Sequence, residues 1–431
     1  MMDSSGDSSN KLTLDDVREL ISKDEPNVDI DSLEEELGSG RGDNYTSMLY
    51  RIRAKGRKLL KNEEYINYEC AIIYKILPES KKRREAFKSE LLFRNEVVFY
   101  KHVWPALNRL QFNGRKVFSG VPKIYAAKGN LIAMEDLRER DFKMADRRRG
   151  LEVEHLQQVL KALAGFHALS LTLKESKPEE FANLKNPEHG IQETLFRRDN
   201  EDWYRQYYRV AANNAITMVS EALPSHMDYR RQEIMTKLQA FLNEDVFFST
   251  MRELVSMQGS LSVFCHGDCW TNNFLFKDKP SSDTEAVYLV DFQLMRVGSL
   301  ALDLANLLYC CTSGVIRRAY MTQLLQHYHS HLMSSLRVLN PEQPPKDPSN
   351  MWKLLKEEMR RCGRFGLGLA LDILPISTCA SHEAPNLYEA STTETSEEKC
   401  PNTAGAPPPG GAECARLMTD LVLDLIDNEA L

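Results

Sequence analysis

Polar and apolar residues alternate over residues 45–77, the pattern of β-strands that bury one face. The alternation runs through YTSMLYRIRAKG and NYECAIIYKILP, which are separated by the polar segment RKLLKNEEY. Two further short strands are indicated by VPKIYAA and NLIAMEDL. We therefore predict an antiparallel sheet in the first third of the chain.

Most of the remaining segments have apolar residues three to four positions apart, the spacing of amphipathic helices. This spacing predicts a short helix in LTLDDVRELIS, one long helix over residues 80–107, and mainly helices between residues 150 and 260. A hairpin is indicated by NNFLFKD and EAVYLVDFQ, which flank the turn-forming segment KPSSD. The last segment, CARLMTDLVLDLIDNEAL, predicts a closing helix.

Composition excludes several classes of protein. The 431 residues carry 55 Lys and Arg against 62 Asp and Glu, so the basic surplus of a nucleic-acid binder is missing. The most apolar stretches are interrupted by Asp303 and Asp372 and are shorter than the roughly 20 residues of a membrane span. Nine irregularly spaced cysteines form no disulfide framework. We expect a cytoplasmic monomer without nucleic-acid or membrane partners.

The segment VFCHGDCWTNNFLF is an apolar strand that enters a His-Gly-Asp turn, and YLVDFQ is a second strand that ends at Asp291. Phosphoryl transfer needs one carboxylate for the attacking hydroxyl, and an amide oxygen and a second carboxylate for Mg²⁺. Asp268 fits the catalytic role, while Asn273 and Asp291 fit the metal-binding role. The simpler interpretations are that Asp268 caps its own turn and that Asn273 is a polar residue at a strand edge. The joint spacing of these residues with His266 and Asp291 favours catalysis instead.

HGDCWTNN followed by VDFQ resembles the catalytic and metal loops of the protein-kinase-like fold. The catalytic motif has Gly rather than Arg after the His, and in this respect it resembles the aminoglycoside phosphotransferase and choline kinase branch of that fold. Together with YKILP and LAGFHALS, these motifs resemble the insect ecdysteroid kinase-like family of small-molecule kinases over about residues 30–378. The resemblance implies a two-lobed α+β fold with a small antiparallel-sheet N-lobe and a larger, mainly helical C-lobe.

The resemblance also implies how a nucleotide is held. Lys75 in IIYKILP corresponds to the phosphate-binding lysine, and Glu96 in LLFRNEVVFY to the acid that pairs with it. A solvated lysine and an exposed helical glutamate are the alternative reading. The segment LIAMEDLRE resembles the hinge, where the backbone of Glu135 to Leu137 would face adenine and Met134 would line its site.

A glycine-rich segment, LGSGRGDNYTSMLYRI, is the candidate loop over the phosphates. Glycine permits close approach of backbone N–H groups, so we expect Gly40 and Gly42 to contact the nucleotide. The spacing differs from that of protein kinases, because glycines occupy every second position from Gly38. A flexible turn remains the alternative.

Two further polar residues are interpreted as structural support. We expect His266 to pack against the metal-binding loop and hydrogen-bond backbone, and Asp303 to brace the catalytic loop, since a buried acid requires partners. His167, in an apolar helix, is interpreted as a packed histidine. Gln293 replaces the last glycine of the D-F-G motif of protein kinases, which argues against a switchable activation loop.

The expected organisation has five parts. They are a disordered N-terminus (1–11), a nucleotide-binding N-lobe with hinge (12–137), a catalytic and acceptor-binding C-lobe (138–378), a flexible low-complexity segment (379–413) and a C-terminal helix (414–431). The flexible segment is predicted from its low content of large apolar residues and its several Pro and Gly.

The leading hypothesis is a kinase that uses ATP and Mg²⁺ to phosphorylate a hydroxyl of an ecdysteroid or a similar hydroxylated metabolite or xenobiotic. An aromatic cluster, Trp203, Tyr204, Tyr207 and Tyr208, is suited to contact such an acceptor or simply to pack in the lobe. Two alternatives stay open: a catalytically silent kinase fold that binds an apolar ligand, and a choline or ethanolamine kinase whose aromatic and acidic residues hold an ammonium.

Overall fold

A computed structural model describes residues 11–38, 47–78, 81–86, 88–112, 114–278, 285–342, 347–379 and 410–431. Gly40 and Gly42, the two glycines expected at the phosphates, lie outside these ranges. Nearly all of the segment predicted to be flexible and of the N-terminus predicted to be disordered also lies outside them. Those predictions are therefore not addressed by the structure.

A five-stranded antiparallel sheet forms the N-terminal lobe, with strand order β1-β2-β3-β5-β4. The strands are β1 (Val28–Leu37), β2 (Met48–Leu59), β3 (Tyr65–Ile76), β4 (Ile124–Lys128) and β5 (Leu131–Glu135). Helix α1 (Leu14–Ser22) begins with a capping box at Thr13 and packs three apolar side chains against the sheet. The predicted sheet is confirmed, and β1 is an additional strand that the sequence pattern did not indicate.

The prediction of one continuous helix over residues 80–107 is wrong, because this range contains several separate helical segments. Lys88 has a left-handed backbone (φ 52°), which an α-helix cannot contain, so the segment divides there into α2 (Lys81–Ala86) and α3 (Ser89–Val98). After α3 the chain forms a π-helical turn, Phe99–Val103, and then α4 (Trp104–Asn108). Glu96, on α3, is buried.

The C-terminal lobe is mainly helical, as predicted. Its helices are α5 (Val153–Ser176), α6 (Pro178–Leu184), α7 (Glu201–Ala222), α8 (Arg231–Phe241), α9 (Glu244–Ser256), α10 (Leu300–Cys310), α11 (Gly314–Leu339), α12 (Pro348–Thr378) and α13 (Gly411–Asp427). No helix within the described ranges has the length and apolar character needed to cross a bilayer. The two-lobed α+β fold class is confirmed.

Two small sheets lie within the helical lobe. The first joins β6 (Lys143–Met144), β8 (Phe274–Phe276) and β9 (Val287–Leu289), and the predicted hairpin is its antiparallel β8–β9 pair. The second pairs β7 (Ser262–Cys265) with β10 (Arg296–Ser299). The chain leaves β7 and β9 directly into the two loops that carry Asp268 and Asp291.

Aromatic packing joins the two lobes. Phe99, which follows α3, stacks on Phe292 of the loop after β9, with ring centroids 3.7 Å apart. Phe166 of α5 contacts both rings, at 6.4 Å from Phe99 and 6.1 Å from Phe292. All three side chains are buried, so α3 belongs to the main core of the larger lobe.

A buried ion pair fixes the closing helix α13. Arg317 of α11 donates from Nε to Asp424 Oδ2 at 2.6 Å and from Nη1 to the Thr312 carbonyl at 2.7 Å. Arg318 reaches the other oxygen of Asp424 at 3.1 Å but is 52% exposed, against 3% for Arg317. The two arginines thus share one partner in very different surroundings.

We predict that Arg317→Met lowers the free energy of unfolding by about 3–5 kcal/mol, because Asp424 stays buried without its main partner. Arg318→Met is the matched control and should cost less than about 1 kcal/mol, the range of exposed ion pairs. Urea unfolding monitored by circular dichroism measures both. Equal losses for the two variants would contradict a buried anchor.

Candidate active site

The ammonium of Lys75 lies between two carboxylates from different parts of the fold. Lys75 is near the end of β3, and its Nζ is 2.7 Å from Glu96 Oε2 on α3. The same Nζ is 2.9 Å from Asp291 Oδ1, just beyond β9. The structure therefore brings together three residues that are far apart in the sequence and that the motifs had singled out.

Burial makes these charges interdependent. Burial opposes the ammonium of Lys75, but the carboxylates of Asp291 and Glu96 outweigh this effect and raise its pKa, so the side chain is charged. Burial also raises the pKa of Glu96, although Lys75 acts in the opposite direction. The pair is a buried, charged contact, unlike the solvated lysine and exposed glutamate of the alternative reading.

The turn after β7 requires glycine at its second position. Gly267 has φ 88°, and a Cβ added there would lie 1.9 Å from the carbonyl oxygen of Leu294. No side chain fits such a close approach between the two loops. The contact brings the His-Gly-Asp turn directly against the segment that follows Asp291.

His266 is held by backbone groups on both ring nitrogens. Its Nε2 is 3.0 Å from the Val290 carbonyl, and its Nδ1 accepts from the Asp268 N–H at 3.2 Å. The ring also packs against Phe292, with centroids 4.6 Å apart. Burial lowers the pKa of His266, which agrees with a neutral ring that donates from Nε2 and accepts at Nδ1.

Asp303, at the first turn of α10, holds the same loop by its main chain. Its carboxylate accepts from the N–H groups of His266 (2.7 Å) and Gly267 (2.9 Å). It also contacts His167 Nε2 at 3.1 Å, and His167 Nδ1 is 2.8 Å from Tyr328 Oη. Burial would raise the pKa of Asp303, but these hydrogen-bond partners outweigh it and lower the pKa.

Asp268 and Asn273 face each other across the loop. Asn273 Nδ2 donates to Asp268 Oδ2 at 2.8 Å and to the Asp268 carbonyl at 2.9 Å. This use of the amide nitrogen leaves Oδ1 as the atom of Asn273 that can bind a cation. Burial, aided by the charge of Asp291, raises the pKa of Asp268 to about 7.

Asp291 adopts an unusual backbone. Its φ and ψ are 66° and 67°, a left-handed conformation that costs free energy for a residue with a side chain. The N–H of the preceding Val290 donates to the Asn273 carbonyl at 3.1 Å, which brings the two loops together. Gln293 Nε2 lies 3.5 Å from Asp291 Oδ2.

A cavity of about 460 Å³ opens between the lobes. Its polar wall includes Lys75, Glu96, Asn273 and Asp291, and its apolar wall includes Met134 with other side chains of both lobes. Asp268 is not part of the wall but adjoins it through Asn273. The volume lies within the range of small-molecule sites.

The segment after β5 borders this cavity. The N–H groups of Glu135 and Asp136 are used within the protein, by the carbonyls of Lys123 (2.9 Å) and Ala71 (3.2 Å). Leu137 begins a short 3₁₀ helix, where its N–H has no intrahelical acceptor. The Glu135 side chain accepts from the Lys123 N–H at 2.9 Å.

A second ion pair at this segment was not anticipated from the sequence. Arg51 of β2 is buried and pairs with the buried carboxylate of Asp136, and its Nη2 also reaches Glu139 at 2.8 Å. An arginine within an alternating strand is ordinarily a solvent-facing residue, so no local signal marked it. The pair connects the second strand of the sheet to the linker between the lobes.

A family model matches residues 41–341 of the chain, under the description ecdysteroid kinase-like family. The chain belongs to this family. The match includes the Lys75 strand, the helix of Glu96 and both loops of the candidate site. The family predicted from the motifs is thus confirmed, and membership supports a small-molecule kinase. No curated protein sequence matches the chain.

Solved structures similar to this ecdysteroid kinase-like protein include three kinases. Choline kinase from Cryptosporidium parvum Iowa II is 13% identical and has a TM-score of 0.41, over 95% of this chain and 92% of that chain. A microcompartment-associated aminopropanol kinase is 11% identical and has a TM-score of 0.40, over 96% of this chain and 99% of that chain. The GDP complex of an aminoglycoside 2′-phosphotransferase is 14% identical and has a TM-score of 0.34, over 80% of this chain and 97% of that chain.

We predict that Gly267→Ala lowers the free energy of unfolding by about 4 kcal/mol or more, because the added Cβ overlaps the Leu294 carbonyl and the backbone is left-handed. Gly259→Ala is the control, since a Cβ there meets nothing within 4 Å, and should change stability by under about 0.5 kcal/mol. Thermal unfolding compares them. A tolerated alanine at position 267 would refute the close approach of the two loops.

Proposed function

We propose that this protein is an ATP-dependent kinase that transfers the γ-phosphoryl group to a hydroxyl of a small molecule. The observation that carries the proposal is the convergence of Lys75, Asn273 and Asp291 on one cavity, with Asp268 beside them. An ammonium, an amide oxygen and two carboxylates in this arrangement are the groups that phosphoryl transfer requires. Membership of the ecdysteroid kinase-like family supports the same reaction.

The nucleotide is proposed to occupy the cavity between the lobes. Its adenine would meet the backbone of Glu135 to Leu137 and the side chain of Met134, which are on the cavity wall. Lys75 would hold phosphate oxygens, because its ammonium is charged and Glu96 fixes its position. Gly40 and Gly42 are proposed to cover the phosphates, on the basis of the sequence alone.

The residues at the cavity suit Mg²⁺. Asn273 and Asp291 present oxygen atoms, the ligands that Mg²⁺ prefers. Among the described residues no three His, Cys, Asp or Glu side chains converge into a metal cage, and Mg²⁺ commonly takes only one or two protein ligands beside nucleotide phosphates. When bound, the ion would neutralise charge on the transferred phosphoryl group.

Asp268 is proposed to orient the acceptor hydroxyl and to accept its proton. Its pKa, raised to about 7 by burial, suits proton transfer near neutral pH. As the acceptor oxygen forms a bond to the γ-phosphorus, the bond to the leaving oxygen of ADP breaks and the hydroxyl proton moves to the Asp268 carboxylate. His266 and Asp303 would act only by holding the loop in position.

The acceptor is proposed to be an ecdysteroid or a similar hydroxylated metabolite or xenobiotic, as the family name suggests. The described cysteines are free thiols, which supports a reducing cytoplasmic setting. A silent kinase fold is disfavoured because the Lys75–Glu96 pair and the Asp268–Asn273 contact are both formed. Such a fold has no need to keep these buried charges.

We predict that Asp268→Asn lowers kcat by about 10²–10⁴-fold, because the amide cannot accept the hydroxyl proton. Its affinity for Mg-ATP should stay within about threefold of wild type, since the amide oxygen still accepts from Asn273. The measurement is mass spectrometry of a panel of ecdysteroids, sterols, choline and aminoglycosides incubated with Mg-ATP. A kcat within a few-fold of wild type would remove Asp268 from the reaction.

We predict different nucleotide-binding defects for Asp291→Asn and Lys75→Met. Asp291→Asn should abolish the gain in ATP affinity that Mg²⁺ provides, while ATP binding without Mg²⁺ persists. Lys75→Met should weaken ATP binding about tenfold or more with and without Mg²⁺, because it removes a phosphate-facing charge. Calorimetric titration with and without EDTA measures both. An unchanged Mg²⁺ effect in Asp291→Asn would argue against metal binding there.

A further inference from the structure

Three successive residues of α3 contact different parts of the fold. Glu96 pairs with Lys75 of β3 at 2.7 Å. Arg94 donates to three carbonyls of the α6–α7 segment (residues 185–200), at 2.9, 3.0 and 3.3 Å. Asn95 lies between them in the sequence, is completely buried, and contacts both that segment and the loop after β9.

The carboxamide of Asn95 forms a two-way contact with the α6–α7 segment. Its Nδ2 donates to the Gln192 carbonyl at 2.8 Å, and its Oδ1 accepts from the Gln192 N–H at 3.2 Å. The next residue, Glu193, accepts from Arg296 Nε of β10 at 2.7 Å. The segment is therefore attached to α3 on one side and to β10, the strand that follows Asp291, on the other.

The same amide nitrogen contacts the loop that carries Asp291. Asn95 Nδ2 donates to the Met295 carbonyl at 3.1 Å and to the Gln293 carbonyl at 3.4 Å. These carbonyls belong to residues two and four positions after Asp291. The Leu294 carbonyl between them is the oxygen that the catalytic turn approaches closely. Asn95 thus fixes the part of this loop that lies against the catalytic turn.

Asp291 therefore lies between two restraints on its main chain. The residue before it donates its N–H to the Asn273 carbonyl at 3.1 Å. The carbonyls after it accept from Asn95. Glu96, on the same turn of α3, holds Lys75, whose Nζ is 2.9 Å from Asp291 Oδ1. One turn of α3 consequently determines the positions of both the lysine and the proposed metal-binding carboxylate.

We propose that Asn95 is a positioning residue for Mg²⁺ binding, because it fixes the loop after β9 on α3 and so orients the Asp291 carboxylate. The inference rests on the proposed kinase function and deepens it. Groups that hold a metal ligand without touching the metal commonly change metal affinity by about 10–100-fold when they are removed. Asp291 depends on such support, since its left-handed backbone persists only where the surroundings determine it.

The test is the gain in ATP affinity that Mg²⁺ provides, measured by calorimetric titration of the full chain with and without EDTA. Asn95→Leu keeps the approximate size of the side chain and removes the hydrogen bonds of the amide. We expect the gain to fall about tenfold or more. ATP affinity in EDTA should stay close to that of wild type, because the Lys75–Glu96 pair remains. A purely structural role would lower stability without changing this ratio in the folded protein.

Arg94→Met is the matched control. It removes three hydrogen bonds between α3 and the α6–α7 segment, and none to the described residues of the loop after β9. Its Mg²⁺ gain should equal that of wild type. An equal loss in Arg94→Met and Asn95→Leu would assign the effect to attachment of the segment and would overturn the proposal.

A second variant keeps the test decisive if leucine prevents folding. Asn95→Ala adds no bulk and favours the helix, and it should show the same loss of the Mg²⁺ gain. Circular dichroism establishes that each variant is folded. A folded Asn95→Leu or Asn95→Ala that keeps the wild-type gain would refute the positioning role.

The outcomes separate the two proposals. A wild-type chain whose ATP affinity does not respond to Mg²⁺ would overturn the kinase function and the positioning role together. A wild-type gain that survives removal of the Asn95 amide would overturn the positioning role and leave the kinase function standing. Loss of the gain in the Asn95 variants, with the gain kept in Arg94→Met, supports both.

Discussion

The buried ammonium of Lys75 is the group on which the arrangement of the lobes depends. It is shared by Glu96 from α3 and Asp291 from the loop after β9, so one charge joins the sheet, a helix and the larger lobe. Removing the ammonium would leave the buried carboxylate of Glu96 and the partly buried carboxylate of Asp291 without their shared partner, at a cost that exceeds that of an exposed pair. The stacking of Phe99 on Phe292 keeps the end of α3 and the loop after β9 together by apolar contact.

The loops around this charge are held mainly through their backbone. Asp303 accepts from two successive N–H groups of the catalytic turn, and His266 spans to the carbonyl of Val290. Such restraints fix the main chain of both loops and leave the side chain of Asp291 on the cavity wall. They also explain how Asp291 retains a left-handed backbone, since strain of this kind persists only where the surroundings determine it.

Local spacing was sufficient to predict the residues of the two loops and the strand that carries Lys75, because each lies within a short motif. It was not sufficient for β1, whose side chains are mostly exposed and strongly acidic, so that no apolar alternation marks the strand. The break at Lys88 was equally hidden, since a lysine in the left-handed region has no sequence signature. For β1, antiparallel pairing with β2 decided the conformation against the local pattern.

Residues that are far apart in the sequence meet in two regions of the structure, and the sequence predicted the residues of one region but not the contacts of the other. Each phosphoryl-transfer group lies within a short motif of its own, although Lys75 and Asp291 are 216 residues apart. Asp372 and Tyr207 lie in no such motif and meet only through the packing of α7 and α12. The aromatic residues of α7 and the carboxylate of Asp372 were each visible in the sequence, but their hydrogen bonds to one another were not. The surroundings of this carboxylate thus depend on how α7 and α12 pack, which no short motif encodes.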